Sequence, residues 1–406
     1  MDRIDRRELR FSGWELVVVA ALAMGAAGIY QFGWSSIRLP LGERLGAPES
    51  ALGTVFTLFV VFQTLGQFPA GWVRDRYGPR LPLLAGALCL TGGFAALAVA
   101  RSLPAAYLGY ALGGVGVSAI YTVAVNTPVK WFTDRRGLAT GIVGMSFPGL
   151  SFLLIPGLRS GVAADFERTL LVVAAAIGGV ALVAAAVLRD PAESTTGDGE
   201  SPAVDATEEH AVGWRGVVRT WQFWLLYLVF VAVNGVGLMV IGKIVSYASA
   251  LSLPAAAGTA AASAVALSEA GGTVVGGSLS DRFGRRRTVA VSLVLCGVAL
   301  AGAVAAGEAG FGAGFVALVG AAALFRAPVF AVFPNLVADY YGRAYSSENY
   351  AALYTGKLFG GVLGGTVASG LVIAIGWSTS FVIGAALAVL AGLAMVFLRP
   401  VDTGAA

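Results

Sequence analysis

Long apolar runs dominate this chain and leave little choice of fold. Each is about 20 residues long, the length that an α-helix needs to cross a bilayer. Charged residues make up only 12% of the 406 residues, about half the share of a soluble domain. The sequence therefore predicts an all-α, multi-pass membrane protein with twelve transmembrane helices. The runs lie near residues 13–37, 50–70, 80–100, 105–131, 138–158, 168–188, 222–248, 255–279, 288–306, 311–338, 349–374 and 377–398.

A short loop motif occurs twice. Gly71 to Arg80 (GWVRDRYGPR) separates the second and third runs, and Gly277 to Arg286 (GSLSDRFGRR) separates the eighth and ninth. Both fit G-x-x-x-D-R-[YF]-G-x-R, at an offset of 206 residues. Such a repeat indicates an internal duplication. We predict two pseudo-symmetric six-helix bundles, at residues 1–189 and 221–406, joined by a polar, acidic linker at residues 190–220.

Lysine and arginine fall unevenly on the two sides of this pattern. If the N-terminus is cytoplasmic, nineteen of them lie in cytoplasmic segments and five in outer ones. Cytoplasmic loops are enriched in these residues, so both termini are predicted to be cytoplasmic, in the cell membrane. The net charge of +4 then reflects topology, and nucleic acid is not expected as a partner. The charged start, residues 1–10, precedes a run too long for a signal peptide and is predicted to stay attached.

Several classes of function find no support in the sequence. The one histidine, His210, lies in the linker, so no imidazole metal site or proton relay is expected inside the membrane. Cys89 and Cys296 fall within apolar runs and are expected to pack as small hydrophobes. Nucleotide loops, paired catalytic carboxylates and nucleophile triads are missing, and the soluble segments are too short for a domain. We expect neither an enzyme nor a bound cofactor or metal.

Four ionisable residues lie inside the predicted spans, all in the second half: Lys243, Glu269, Arg326 and Lys357. Such residues are costly in a bilayer and usually face a cavity. All but Lys243, which is nearer the outer face, lie about 15 to 24 Å from the ends of their spans. Together they leave a surplus of positive charge that a bound carboxylate would partly offset. Alternatively, Arg326 and Glu269 form a structural pair and Lys243 reaches the outer interface.

Lys357 is the strongest candidate for a substrate contact. Tyr350 and Tyr354 precede it by seven and three residues and Gly361 follows it by four, so all four lie on one helical face. Neighbouring glycines would let a ligand or another backbone approach closely. The pattern predicts a cation beside two phenols and open space.

The first half supplies no intramembrane charge but offers polar and aromatic side chains. Tyr30, Gln31 and Trp34 in the first run and Tyr121 in the fourth are predicted to line the opposite wall of a cavity. Aromatic faces sort planar anions by shape, and amides and hydroxyls donate hydrogen bonds. Gln63, Asn126 and Ser146 are weaker candidates. The alternative is that the aromatic rings only pack or anchor the protein in the membrane.

The duplicated motif, the six-plus-six plan and the central linker resemble the major facilitator superfamily of secondary transporters, over almost the whole chain. The resemblance implies a monomer whose two halves rock about a central site. Each motif aspartate is suited to accept from backbone N–H groups at a helix N-terminus and from arginines. Alternatively, the motifs are only clusters of positive charge on the cytoplasmic side. We predict a gate formed by Asp75, Arg76, Arg80, Asp281, Arg282 and Arg286.

A narrower resemblance is to the oxalate/formate antiporter branch of that superfamily. It rests on residues 129–141 (VKWFTDRRGLATG), 221–226 (WQFWLL), 237–241 (GLMVI) and 349–357 (NYAALYTGK). In that branch the lysine of the eleventh span contacts the carboxylate substrate, and it matches Lys357. The oxalate carriers of the branch also place an arginine in span eight. This chain has Gly272 there and Glu269 nearby, a departure that leaves oxalate itself open.

These observations predict a secondary transporter of a small organic anion, a mono- or dicarboxylate, surrounded by membrane lipid. Lys357 and Arg326 would bind the carboxylate, and Arg326 would replace the missing arginine of span eight. Glu269 would hold one of these cations or carry a coupling proton, so exchange and proton symport are both open. The alternatives are an exporter of drugs or other small molecules and a membrane sensor that transports nothing.

Overall fold

The structure is a computed structural model that describes residues 13–191 and 211–400. The charged N-terminal segment, most of the predicted linker with His210, and residues 401–406 lie outside the described residues. All regular secondary structure in the described part is helical. The protein is therefore an all-α chain, as the apolar runs predict.

The first half contains seven helices within the described residues, because a shorter helix follows the first span. α5 is the most enclosed of the spans, with 83% of an 18-residue apolar stretch buried. It packs against α1, α3 and α4 and so forms the middle of this bundle. The helices are α1 Gly13–Phe32, α2 Trp34–Leu45, α3 Glu49–Tyr77, α4 Arg80–Ala98, α5 Leu103–Trp131, α6 Arg136–Ala164 and α7 Phe166–Val187.

The second half contains two spans that are broken along their length. The tenth divides before Pro328, whose ring nitrogen has no N–H to donate to the helix. The eleventh divides at Thr355 and then contains one π-helical turn. The helices are α8 Trp214–Val217, α9 Trp221–Ala250, α10 Ala255–Phe283, α11 Arg285–Glu308, α12 Gly312–Arg326, α13 Pro328–Tyr341, α14 Ser346–Tyr354, α15 Gly356–Val362, the π-turn Leu363–Val367, α16 Ala368–Ile375 and α17 Trp377–Phe397.

Eleven helical segments of the described chain are long and apolar enough to cross a membrane. The remaining predicted span is α10, which is 29 residues long. It is rich in alanine, glycine and serine and carries Glu269, so it is less apolar than the others. Protein shields much of it, because α10 packs against α6, α9, α12 and α13. With α10, the spans form two six-helix bundles.

The two halves meet mainly through three helix pairs. α3 of the first half packs against α14, and α6 packs against α10 and α13. Buried residues of both halves, including Tyr121 and Tyr354, belong to one apolar cluster. We call the end of the molecule that carries both loop motifs the motif end.

Residues 211–217, which we call the strap, belong to the predicted linker and lie against both halves. The backbone N–H of Trp214 donates to Glu348 Oε1 at 3.1 Å, and Asn349 Nδ2 donates to the Val212 carbonyl at 2.8 Å. The Trp214 ring meets Phe68 of α3 edge-on, with the centroids 5.3 Å apart. The strap therefore crosses the boundary between the halves at the motif end.

Candidate functional site

Lys357 lies half-buried in α15, just after the break in the eleventh span. Its Nζ is 3.4 Å from Gln63 Oε1 of α3 and 3.2 Å from the Tyr354 hydroxyl. The same nitrogen is 5.3 Å from the centroid of the Tyr354 ring. All these partners are neutral, and within the described residues no carboxylate pairs with this ammonium. An uncompensated cation in a membrane span is costly, so a bound anion at this position would be stabilised.

Gln63 adds a second hydrogen-bond donor at this point. Its side chain is fully buried, and its Oε1 faces Lys357. Its Nε2 has no hydrogen-bond partner in the described part of the chain. A buried amide left without a partner loses its hydration without compensation. Lys357 and Gln63 thus bring a charged and a neutral donor together from the two halves.

Six aromatic rings, which we call the aromatic row, cross from one half to the other beside Lys357. Neighbouring rings have centroids 5.2 to 6.2 Å apart, the range of favourable aromatic contacts. Tyr350 packs behind the row, with its centroid 5.9 Å from that of Tyr354. In order, the row is Phe32, Phe147, Tyr121, Tyr354, Phe230 and Phe330.

Arg326 ends α12 and is 6% exposed. Its guanidinium pairs with Glu269 of α10, and its Cζ lies 5.3 Å from the centroid of Phe330, the last ring of the row. It also packs against α9, where a Cβ at Gly237 would lie 2.4 Å from Cζ. The ion pair borders a cavity of ≈ 10 Å³, about the room that one water needs. This is the arrangement of a structural pair, and it leaves Lys357 as the uncompensated cation of the two.

Lys243 does not join this group. Its Nζ donates to Ser369 Oγ of α16 at 2.7 Å. It follows Phe230 of the aromatic row by thirteen residues, which is about 20 Å along α9. Lys243 therefore lies well away from Lys357.

Two first-half aromatics take a different position from the predicted one. Tyr30 is fully buried, and its hydroxyl donates to the Gly109 carbonyl at 2.7 Å. Its ring centroid is 4.8 Å from that of Tyr110, which also packs 4.7 Å from Trp34. Tyr30 and Trp34 thus form core inside the first bundle and do not line a cavity. Gln31 is half-buried, and its Oε1 has no hydrogen-bond partner within the described residues.

The first glycine of each loop motif sits where the two halves cross most closely. A Cβ at Gly71 of α3 would lie 2.5 Å from the Ser347 carbonyl oxygen of α14. A Cβ at Gly277 of α10 would lie 2.1 Å from the Gly137 carbonyl oxygen of α6. Real Cβ atoms cannot approach an oxygen this closely. The two motif copies therefore form equivalent crossings, one on each side of the molecule.

The first latch, made of Asp75, Arg76, Lys130 and Glu348, holds α3 and α14 together. Asp75 Oδ2 accepts from the backbone N–H of Glu348 at 2.8 Å, at the start of α14. Lys130 Nζ lies 2.8 Å from Asp75 Oδ1, and Arg76 Nη1 pairs with Glu348 Oε2 at 2.6 Å. A carboxylate is favoured here because the first N–H groups of a helix are unpaired and carry partial positive charge.

The second latch, made of Asp281, Arg136 and Asp339, holds α10 and α13 to α6. Asp281 accepts from the backbone N–H groups of Gly137 at 2.8 Å and Leu138 at 3.0 Å. Arg136 Nη2 pairs with Asp339 Oδ1 at 3.0 Å. Each half thus supplies an aspartate that caps a helix of the other half.

Three arginines of the predicted gate lie outside these latches. Arg80 and Arg282 are exposed, and in the described part of the chain neither forms an ion pair. Arg286 Nη1 donates to the Leu398 carbonyl at 2.5 Å, a contact within the second half. The structure therefore places none of the three between the halves, in contrast to the prediction.

Sequence reasoning did not single out the acidic partners of the latches or the second-half phenylalanines of the row. Glu348 and Asp339 lie in the segment 339–348, whose one other charged residue is Arg343, so the charge pattern there gave little signal. Phe230 and Phe330 carry no comparable signal, because an aromatic in an apolar span is usually packing.

Two pseudo-symmetric six-helix halves, latched at one end and enclosing a lysine without a counter-ion, define a membrane transporter. A model of the Major Facilitator Superfamily matches residues 16–254 and 234–406. The chain belongs to this superfamily.

Individual relatives and structures agree. The oxalate:formate antiporter of Oxalobacter formigenes is 32% identical over 400 residues, covering 95% of this chain and 91% of that protein. The probable nitrate/nitrite transporter NarK2 of Mycobacterium tuberculosis is 29% identical over 244 residues, 58% of each chain. The fucose:proton symporter of E. coli has the same fold, with a TM-score of 0.73 at 12% identity over 95% of this chain and 100% of that one. These findings confirm the predicted family, its branch resemblance and its fold.

Proposed function

We propose that this protein carries a small carboxylate across the cell membrane by alternating access, with Lys357 as the charge that the carboxylate neutralises. The observation that carries the proposal is the setting of this ammonium. In the span Ser346–Ile375 it lies about 17 Å from one end and about 27 Å from the other. Its partners there are neutral. A bound carboxylate supplies the missing negative charge and makes a charge-assisted hydrogen bond.

The surroundings of Lys357 suit a small planar anion. Gln63 Nε2 is a free donor for a second carboxylate oxygen, and it comes from the opposite half. The rings of Tyr121 and Tyr354 pack at a tilt of 52°, with centroids 5.2 Å apart. Because the site draws on both halves, rocking of one half against the other changes it, which is how transporters of this architecture expose a central site.

The relative from Oxalobacter formigenes supports a carboxylate cargo, since its name gives oxalate and formate as its substrates. Lys357 matches the lysine that the branch uses. Arg326, by contrast, is paired with Glu269. In this conformation it therefore contributes electrostatic potential but no free hydrogen-bond donor. We therefore assign the substrate contact to Lys357 first and to Arg326 second.

Both latches are closed in this conformation, so the proposed change of access opens the motif end. The arginine-rich motif end is the cytoplasmic one by the distribution of basic residues. On that orientation both chain termini face the cytoplasm, and the conformation is one in which the cytoplasmic end is shut.

Uptake into liposomes that contain only this protein tests the proposal. The radiolabelled panel is formate, oxalate, lactate, pyruvate and malate, with nitrate as an inorganic anion. We expect uptake of at least one carboxylate and a loss of at least about tenfold in Lys357→Gln, because the replacement cannot neutralise the substrate. Lys243→Gln is the matched control, since it removes the other second-half lysine and should leave uptake intact.

Two results would contradict the proposal. One is a native protein that takes up none of the carboxylates, and the other is a Lys357→Gln protein that transports as well as the native one. The driving force is read in the same vesicles. Uptake driven by internal carboxylate alone indicates exchange, and uptake driven by an inward proton gradient that Glu269→Gln abolishes indicates proton symport through Glu269.

A further inference from the structure

Three ionisable side chains, each counted in its charged form, set the charge around the candidate site. Lys357 and Arg326 contribute two positive charges and Glu269, paired with Arg326, contributes one negative charge, so the sum is +1. Lys243 is excluded because it lies about 20 Å along α9 from the aromatic row and donates to Ser369. The charges of the first latch are paired with one another at the motif end.

Glu269 belongs to this count although it does not touch Lys357. Its partner Arg326 stacks on Phe330, and the aromatic row connects Phe330 through Phe230 to Tyr354, which contacts Lys357. Apolar and aromatic groups fill the path between the two cations. Charges separated by such material are poorly screened, so each acts on the whole site.

From this count we infer that the cargo carries a single negative charge and that Glu269 is the residue that sets this number. A monocarboxylate brings the site to neutrality. A dicarboxylate dianion would leave one negative charge uncompensated inside the membrane, which is costly. Without Glu269 the site would hold two positive charges and would match a dianion. The inference rests on the proposed function and narrows its substrate class to monocarboxylates.

The experiment compares glyoxylate with oxalate, two small two-carbon anions that differ by one charge at neutral pH. Initial uptake of each is measured in liposomes containing the native protein, Glu269→Gln or the double variant Glu269→Gln/Arg326→Gln. The single variant raises the charge to +2, and the double variant returns it to +1. Lactate and malate serve as a second pair of unlike charge.

We expect the native protein to prefer glyoxylate by at least about tenfold, Glu269→Gln to shift the ratio towards oxalate by at least about tenfold, and the double variant to shift it back. The shift in melting temperature that each anion causes in detergent gives the same ranking without turnover, because at equal concentration the ligand with the lower Kd stabilises the folded state more. This readout on the native protein alone does not depend on how the variants fold.

The inference is overturned if the native protein binds and transports oxalate as well as glyoxylate, or if the ratio is unchanged in a folded Glu269→Gln protein. Those outcomes leave carboxylate transport itself standing. A native protein that neither binds nor transports any carboxylate overturns the proposed function, and the inference with it.

Discussion

The two latches are built from the same motif but differ in how far their carboxylates are removed from water. In the first latch the side chains of Asp75 and Glu348 are 0% and 1% exposed. In the second, Asp281 is exposed and Asp339 is 32% exposed, although its partner Arg136 is 7% exposed. The strap also lies over the first latch and donates to Glu348, with no counterpart recorded at the second among the described residues.

This difference matters because the worth of an ion pair depends on burial. Exposed pairs contribute about 0 to 1 kcal/mol, since water and salt screen them. Removing one partner of a buried pair costs about 3 to 5 kcal/mol, since the other charge is left desolvated. We therefore expect the first latch to dominate the closed state of the motif end and the second to adjust it.

The largest effect is expected for Asp75→Asn. The change takes from the largely buried Lys130 ammonium its nearest carboxylate, leaving Asp190 at 3.9 Å, and removes a negative charge beside the buried Arg74. It also weakens the cap on α14, so the closed state should shift towards the open one by about 3 kcal/mol. Spin labels at Thr133 and Ala344, exposed positions in different halves at this end, report the distance in a background without Cys89 and Cys296. A shift to longer distances is expected.

The control for this variant is Asp134→Asn, which removes an exposed aspartate from the same end and should leave the distance distribution unchanged. If Asp75→Asn gives the same distribution as the native protein, the buried latch does not hold the halves together.

An intermediate effect is expected for Glu348→Gln. The amide oxygen can still accept from the Trp214 N–H, but the charge that pairs with Arg76 is lost. Arg76 is 34% exposed and stays solvated, so the cost should be about 1 to 2 kcal/mol. Hydrogen exchange at the Trp214 amide should quicken along with the opening measured by the spin labels. If protection of that amide is unchanged, the contact of the strap does not depend on the charge of the first latch.

A smaller effect is expected for Asp281→Asn. The variant loses the charge of a helix cap on α6, while the nearby buried Arg136 and half-buried Arg285 keep Asp339 as their ion-pair partner, so the cost should be about 1 kcal/mol. Measured with the same labels, its opening should be clearly less than that of Asp75→Asn. An equal or larger opening would show that burial does not rank the two latches.

The smallest effects are expected for Arg80→Gln and Arg282→Gln. Both side chains are exposed and unpaired in the described residues, so each change should be within about 0.5 kcal/mol. Transport rates in liposomes should stay close to native. A strong loss in either variant would restore the role that the motif alone predicts for them.

Much of this architecture could be predicted from local pattern. Apolar run lengths gave the spans, and the three-residue spacing of Tyr354 and Lys357 placed them on one face, where they lie 3.2 Å apart. The second glycine of each motif copy, Gly78 and Gly284, follows the end of α3 and α10 at a φ of +78° and +87°, a conformation that glycine adopts readily. These features depend only on helix geometry and backbone sterics.

The remainder depends on how helices are rotated against one another, which local pattern does not determine. Gln63 and Lys357 meet across 294 residues of sequence. Tyr30 and Trp34 turn into the first bundle, and Arg286 turns towards Leu398, because these contacts satisfy their polar and apolar atoms within one half. An apolar span offers no polar face to show which side is core and which is cavity.

The reciprocal caps have a consequence for how the protein is made. The start of α14 is capped by Asp75, which is synthesised long before α14. The start of α6 is capped by Asp281, which is synthesised long after α6. In neither bundle do these backbone N–H groups have their aspartate partner until the other bundle has been inserted beside it. In the proposed change of access, opening of the motif end removes these aspartate partners from the starts of α6 and α14 again.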